Sequence, residues 1–96
     1  MIGLVVTLRV KEGQEAAFET AMKTLIPQVR ANEPGCTLYS MTKKPGEAGV
    51  YVMMEQYVDK AALDHHGKTP YFQAALPALG AALAGPPETL TLDVLV

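Results

Sequence analysis

Both histidines of the chain stand side by side in the stretch ALDHHGKTPYF, residues 62–72. An imidazole titrates near neutrality, so either one is a candidate general base. Neighbouring residues on a helix project about 100° apart, so the two cannot readily share a metal ion. No third histidine exists and Cys36 is the single cysteine, so metal is not expected. Two aromatics, Tyr71 and Phe72, follow closely. Upstream, Glu55 lies between Met53, Met54 and Tyr57 in a strand-like run. A carboxylate in such surroundings must be paired, or it costs several kcal/mol (order of magnitude). Its partner could be a histidine or Arg9.

The elements that must position these groups are legible from the hydrophobic period. Ile2, Leu4, Val6, Leu8 and Val10 alternate with more polar residues and predict a strand. Phe18, Met22, Leu25, Ile26 and Val29 recur at three- and four-residue spacing and predict an amphipathic helix, with Pro27 disturbing its last turns and NEPG at 32–35 ending it. Residues 36–43 and 50–58 read as two strands joined by KPGEAG. Asp59 is suited to cap a short helix that Gly67 should break. Thr69, with Pro70 at the first helical position, opens another, and PPETLTLDVLV closes the chain as a strand.

The order β-α-β-β-α-β predicts a single α+β domain over residues 1–96, a ferredoxin-like sandwich with helices on one face of a four-stranded antiparallel sheet. The aliphatic face of each strand is expected to meet the helices. The mixed face would hold Val5, Thr7, Arg9, Tyr39, Met41, Tyr51, Met53, Glu55, Tyr57, Asp93 and Leu95. It is too apolar for bulk water, and a second copy covering it makes a homodimer the economical solution. Arg9 and Asp93, on neighbouring strands, are expected to pair.

Composition narrows the function classes. A chain of 96 residues that is 49% hydrophobic has more apolar surface than its thin core easily hides, which also favours a partner. A formal net charge of −2 with dispersed Lys and Arg gives no support to nucleic-acid binding. No apolar run reaches membrane-spanning length, the N-terminus reads as a strand rather than a signal peptide, and one cysteine suits a reducing compartment. The expectation is a cytoplasmic protein without membrane contact.

Several stretches, ANEPGCTLYS (31–40), YVMMEQYVDKAALDHH (51–66) and HGKTPYF (66–72), resemble the antibiotic biosynthesis monooxygenase domain family, and the first strand and helix fit in pattern. The resemblance implies a dimeric α+β barrel. It also implies enzymes that oxidise aromatic substrates such as quinols and anthrones with O2, using no flavin, haem or metal cofactor. It places the family histidine at His66, three residues before Thr69. The chain has no Trp and no Asn in its first strand. The haem-degrading branch of the fold typically uses both, so haem chemistry is disfavoured.

Triplet oxygen reacts slowly with closed-shell molecules, so a cofactor-free oxygenase must turn its substrate into an enolate or phenolate. That requires a base, a dry pocket and donors for the anion. His66 is the expected base and Glu55 its orienting carboxylate, with Tyr57, Tyr71 and Phe72 as aromatic walls and Tyr39 or Tyr51 as donors to substrate oxygen. Each has a plainer structural reading: a helix-terminal His66 bonded to a carbonyl or to Glu55, aromatic side chains packed in the core or at an interface, and a solvated His65. The corresponding alternative is a non-catalytic dimer that binds a small apolar ligand or accompanies a pathway enzyme. Replacing His66 by Ala is expected to abolish oxygen uptake with little loss of thermal stability.

Overall fold

Alternation in the first ten residues yields β1 (Ile2–Arg9), and the elements that follow are α1 (Glu15–Asn32), β2 (Cys36–Lys43), β3 (Val50–Tyr57), α2 (Lys60–Lys68), α3 (Pro70–Ala82) and β4 (Glu88–Asp93). This is a computed structural model that describes residues 1–96. The four strands form one antiparallel sheet in the order β2-β3-β1-β4, the ferredoxin-like topology. No helix is long and apolar enough to cross a membrane.

The long helix behaves as its period predicts. Its buried residues are Phe18, Met22, Leu25, Ile26 and Val29, and it runs through Pro27 to Asn32. Arg30 ties its end to the sheet by donating from Nε and Nη2 to the Tyr39 carbonyl at 3.2 and 2.9 Å. The helical region after β3 differs from expectation in one respect. Gly67 does not break α2, which continues to Lys68. Pro70 sets the boundary instead: a residue before proline is pushed out of the helical region, and Thr69 is extended at φ −65°, ψ 144°. At the other end of α2 the Asp59 carboxylate accepts from the Ala62 amide at 2.8 Å, the cap expected there.

The strand faces are the main correction. β1 presents its even residues to the helices, as expected, with Leu8 and Val10 buried. In β2 and β3 the odd residues turn inward, burying Tyr39, Tyr51, Met53 and Tyr57. Register makes this obligatory, because Leu8 lies opposite Tyr51, Val6 opposite Met53 and Leu4 opposite Glu55. Tyr39, Met41, Tyr51, Met53, Glu55 and Tyr57 are therefore under the helices, and cannot form the open face of the sheet. That surface carries Val5, Thr7, Val50, Val52, Met54, Leu90 and Leu92, by the pairing of Val5 with Met54 and Leu90 and of Thr7 with Val52. Arg9 also does not meet Asp93, which lies opposite Ile2 at the far end of the ladder; it pairs with Glu88 at 2.7 Å, half-exposed and of little energetic weight.

Gly35 shows how closely α2 is set against the sheet. Its carbonyl accepts from the Val58 amide at 2.9 Å, and a Cβ placed on it would lie 2.7 Å from the Ala62 Cβ. The obstructing atom is fixed to the α2 backbone, so the helix itself must move. Gly35→Ala is expected to destabilise the fold by about 1–3 kcal/mol, as overpacking generally does. A thermal melt should then show a loss of about 4–8 °C per kcal/mol for a domain of this size.

Candidate functional site

The buried polar groups converge at the ends of α1 and α2. Glu33 caps the end of α1, where its amide donates to the Val29 carbonyl at 3.0 Å. His66 occupies the last turn of α2, and the two side chains are 2% and 6% exposed. The His66 Nδ1 lies 3.0 and 3.2 Å from the two carboxylate oxygens of Glu33. The Tyr71 hydroxyl donates to Glu33 Oε2. A carboxylate accepting from Tyr71 offers only acceptors, so Nδ1 donates to it, and Nε2 makes no hydrogen bond within the chain.

The ring of His66 is held on every side. Phe72, Tyr39 and Tyr57 place ring centroids 4.6, 5.1 and 5.5 Å from it. The Thr69 hydroxyl donates to the His66 carbonyl at 2.9 Å and fixes the backbone beneath it. His65, in contrast, is exposed.

Glu55 was expected to orient the imidazole, and the structure assigns that place to Glu33. Glu55 instead accepts from the Tyr57 hydroxyl at 2.6 Å through Oε1. Burial raises its pKa, opposed by the Tyr57 hydrogen bond and the attraction of His66, and reinforced by Glu33. Burial likewise lifts the Tyr39 phenol far above its ordinary value, so it remains a donor. The Cys36 thiol is pushed up to about 11 by burial and by the carboxylates Glu33 and Glu55, which leaves it an inert neutral group.

A cavity of about 510 Å³ lies between the sheet and α3. Its walls are apolar, with Leu4, Val6 and Met53 from the sheet and Leu63, Phe72, Leu76, Leu79 and Leu83 from the helical side. Tyr39, Glu55 and His66 line it as well. No buried side-chain polar atom lacks a hydrogen-bond partner. The partnerless atoms of these three residues, His66 Nε2, Glu55 Oε2 and the Tyr39 hydroxyl, are therefore the polar groups that the cavity can reach. A cavity of this size, apolar with a few convergent polar groups, is the usual form of a small-molecule site.

Three of the expected residues lie elsewhere. Tyr51 packs on Phe18 at 4.8 Å and donates to Glu19 at 2.5 Å, away from the cavity. Tyr57 is fully buried behind Glu55. Tyr71 turns from the cavity toward Glu33 and lines a separate groove between α1 and α3. Glu33, which sequence reasoning passed over as part of the helix stop, is the addition. Its one signal was an acid just before Pro-Gly at a helix end. No three His, Cys, Asp or Glu side chains are grouped to hold a metal ion.

The raised pKa of Glu55 has a measurable consequence. A carboxyl whose folded pKa lies above its unfolded value contributes stability that is complete below the unfolded pKa and lost as pH rises through the folded one. Glu55→Gln keeps an acceptor for Tyr57 and cannot ionise. Its Tm is expected to exceed that of the wild type near neutrality, with the gain disappearing in acid. Melts over a pH series check this.

Comparison with known proteins gives a consistent result. The family model described as antibiotic biosynthesis monooxygenase matches residues 1–78. The Bacillus subtilis protein named "Putative monooxygenase YcnE" is 33% identical over 94 residues, covering 98% of each chain. The crystal structure of a "putative antibiotic biosynthesis monooxygenase" from Caulobacter crescentus CB15 superposes with a TM-score of 0.95 at 44% identity, covering 99% of this chain and 90% of that one. PA3566 from Pseudomonas aeruginosa superposes at 0.89 with 27% identity, covering 99% and 94%.

Proposed function

The chain belongs to the antibiotic biosynthesis monooxygenase family, and on that premise we propose that it oxidises a small quinol- or anthrone-like molecule with O2, without a cofactor. The observation that carries this reading is His66: Nδ1 is committed to buried Glu33 while Nε2 is free at an apolar cavity. Nε2 takes a proton from the acidic C–H or O–H of the substrate. The resulting anion passes one electron to O2, and the radical pair recombines as a peroxide. For an anthrone-type methylene, loss of water then breaks the O–O bond and leaves a carbonyl, so CH2 and O2 become C=O and H2O. The Tyr39 hydroxyl and the Glu55 carboxyl, when protonated, donate to the developing oxyanion. Phe72 and the leucines of the cavity wall keep bulk water from the anion.

The same proposal includes a homodimer formed through the open sheet face. Met54, Leu90 and Leu92 are 41%, 57% and 44% exposed there, an apolar area better suited to a partner than to water. Oxygen consumption with reduced naphthoquinones and anthrone tests the activity. Uptake with a product that has gained one oxygen and lost two hydrogens, the second oxygen leaving as water, supports it. Tight binding of these compounds with no uptake across the panel would favour a ligand-binding protein instead.

A further inference from the structure

The cavity and the groove between α1 and α3 share no lining residue. The groove, about 640 Å³, is bordered by Thr20, Thr24, Gln28, Ala74 and Ala78, all of them exposed, so it is open to water. One hydrogen-bonded chain joins the two spaces: His66 at the cavity, Glu33 between them and Tyr71 at the groove. We propose that Tyr71 and Glu33 form a proton relay between His66 and groove water, which releases a proton while the substrate anion exists and returns one when the peroxide needs it. The inference rests on His66 acting as the base proposed above.

The relay runs once in each direction, so no net proton is released and His66 ends in its starting tautomer. When Nε2 gains a proton, Nδ1 passes its own to Glu33. The Glu33 carboxyl then donates to the Tyr71 oxygen, and the Tyr71 hydroxyl rotates to release its proton to groove water. When Nε2 gives its proton to the peroxide, the same steps run in reverse and restore the Nδ1 hydrogen. Tyr71 need never become a phenolate, which accords with the push of its pKa up to about 12 by burial and by Glu33. Such a route matters because a substrate filling the cavity blocks water from His66. Other neighbours offer no outlet. Phe72 has no exchangeable proton, Tyr57 is engaged with Glu55, and Tyr39 and Glu55 face the same cavity that the substrate fills.

Exchange of the His66 Nδ1 proton with solvent tests the relay without requiring any reaction. In histidine-labelled protein, NMR should show at least tenfold slower exchange in Tyr71→Phe than in wild type, with the Nδ1–H signal and Tm retained. Exchange at the wild-type rate or faster would overturn the proposal. Should Tyr71→Phe disturb the fold, Ala74→Leu covers the groove and leaves the chain of donors intact. It is expected to slow exchange similarly, and unchanged exchange there would equally defeat the idea. Loss of the oxygenase reading would show as absent oxygen uptake with relay exchange intact, so the two failures are distinguishable.

Discussion

His66→Gln is expected to lower oxygen uptake by about 10²–10⁴-fold, the usual contribution of a positioned base. The amide can still donate to Glu33, but it has no lone pair basic enough to take a substrate proton. Alanine is the poorer test. The sequence alone led to the expectation that His66→Ala would hardly alter stability, but the burial of His66 argues for a large loss instead. Removing a ring packed against Phe72, Tyr39 and Tyr57 opens a cavity and leaves Glu33 buried with Tyr71 as its remaining side-chain donor. A loss of about 3–5 kcal/mol follows from a broken buried pair. Steady-state uptake and a melt on both variants separate the effects. A glutamine variant with wild-type uptake would remove His66 from the chemistry.

The second large effect concerns the open sheet face. Val52 lies on a central strand, opposite Thr7 on one side and Thr42 on the other, near the middle of that face. In the proposed dimer, Val52→Asp places an unpaired carboxylate in an apolar interface, at several kcal/mol (order of magnitude). Each 1.4 kcal/mol is a tenfold change in affinity, so the dimer should weaken by about 10²–10³-fold. Sedimentation over a dilution series measures it, with circular dichroism to show that the monomer stays folded. A wild type that sediments as a monomer would sink the proposal, as would a variant that remains dimeric.

How far the sequence could be read depended on whether one signal or two competed at a position. The α1 stripe was unambiguous, because one face of that helix is apolar and the other is not, and its buried set matches the period. β3 offered two apolar faces, Val50-Val52-Met54 and Tyr51-Met53-Tyr57, and hydrophobicity could not choose between them. The acid on the second face argued for an outward position. Burial is tolerable there because Tyr57 donates to Glu55 and burial pushes the carboxyl's pKa up, easing the cost of its charge. Neither fact is local to the strand pattern.

The site divided in the same way. His66 was legible because its segment carries recognisable punctuation, Asp59 before the helix and Thr69-Pro70 after it. Glu33 was not, since it follows the last helical residue, where no period fixes the side chain's direction. Its partners His66 and Tyr71 are 33 and 38 residues away in sequence. Only docking of the second half of the chain against the first brings them together. The Tyr51 assignment failed for the same reason as the strand face, and its hydroxyl was claimed by Glu19 on α1.

The two sides of the cavity come from different parts of the chain. Its polar end is built by β2, β3 and the α1 and α2 termini, while much of its apolar wall comes from one stretch, Phe72 to Leu83. Leu76, 41% exposed, stands where that wall meets the outside. Shape and reactivity are thus encoded separately. Exchanges at Leu76, Leu79 or Leu83 can recut the space for a different molecule without touching Glu33, His66 or Glu55, so that relatives could diverge in what they accept while keeping how they react.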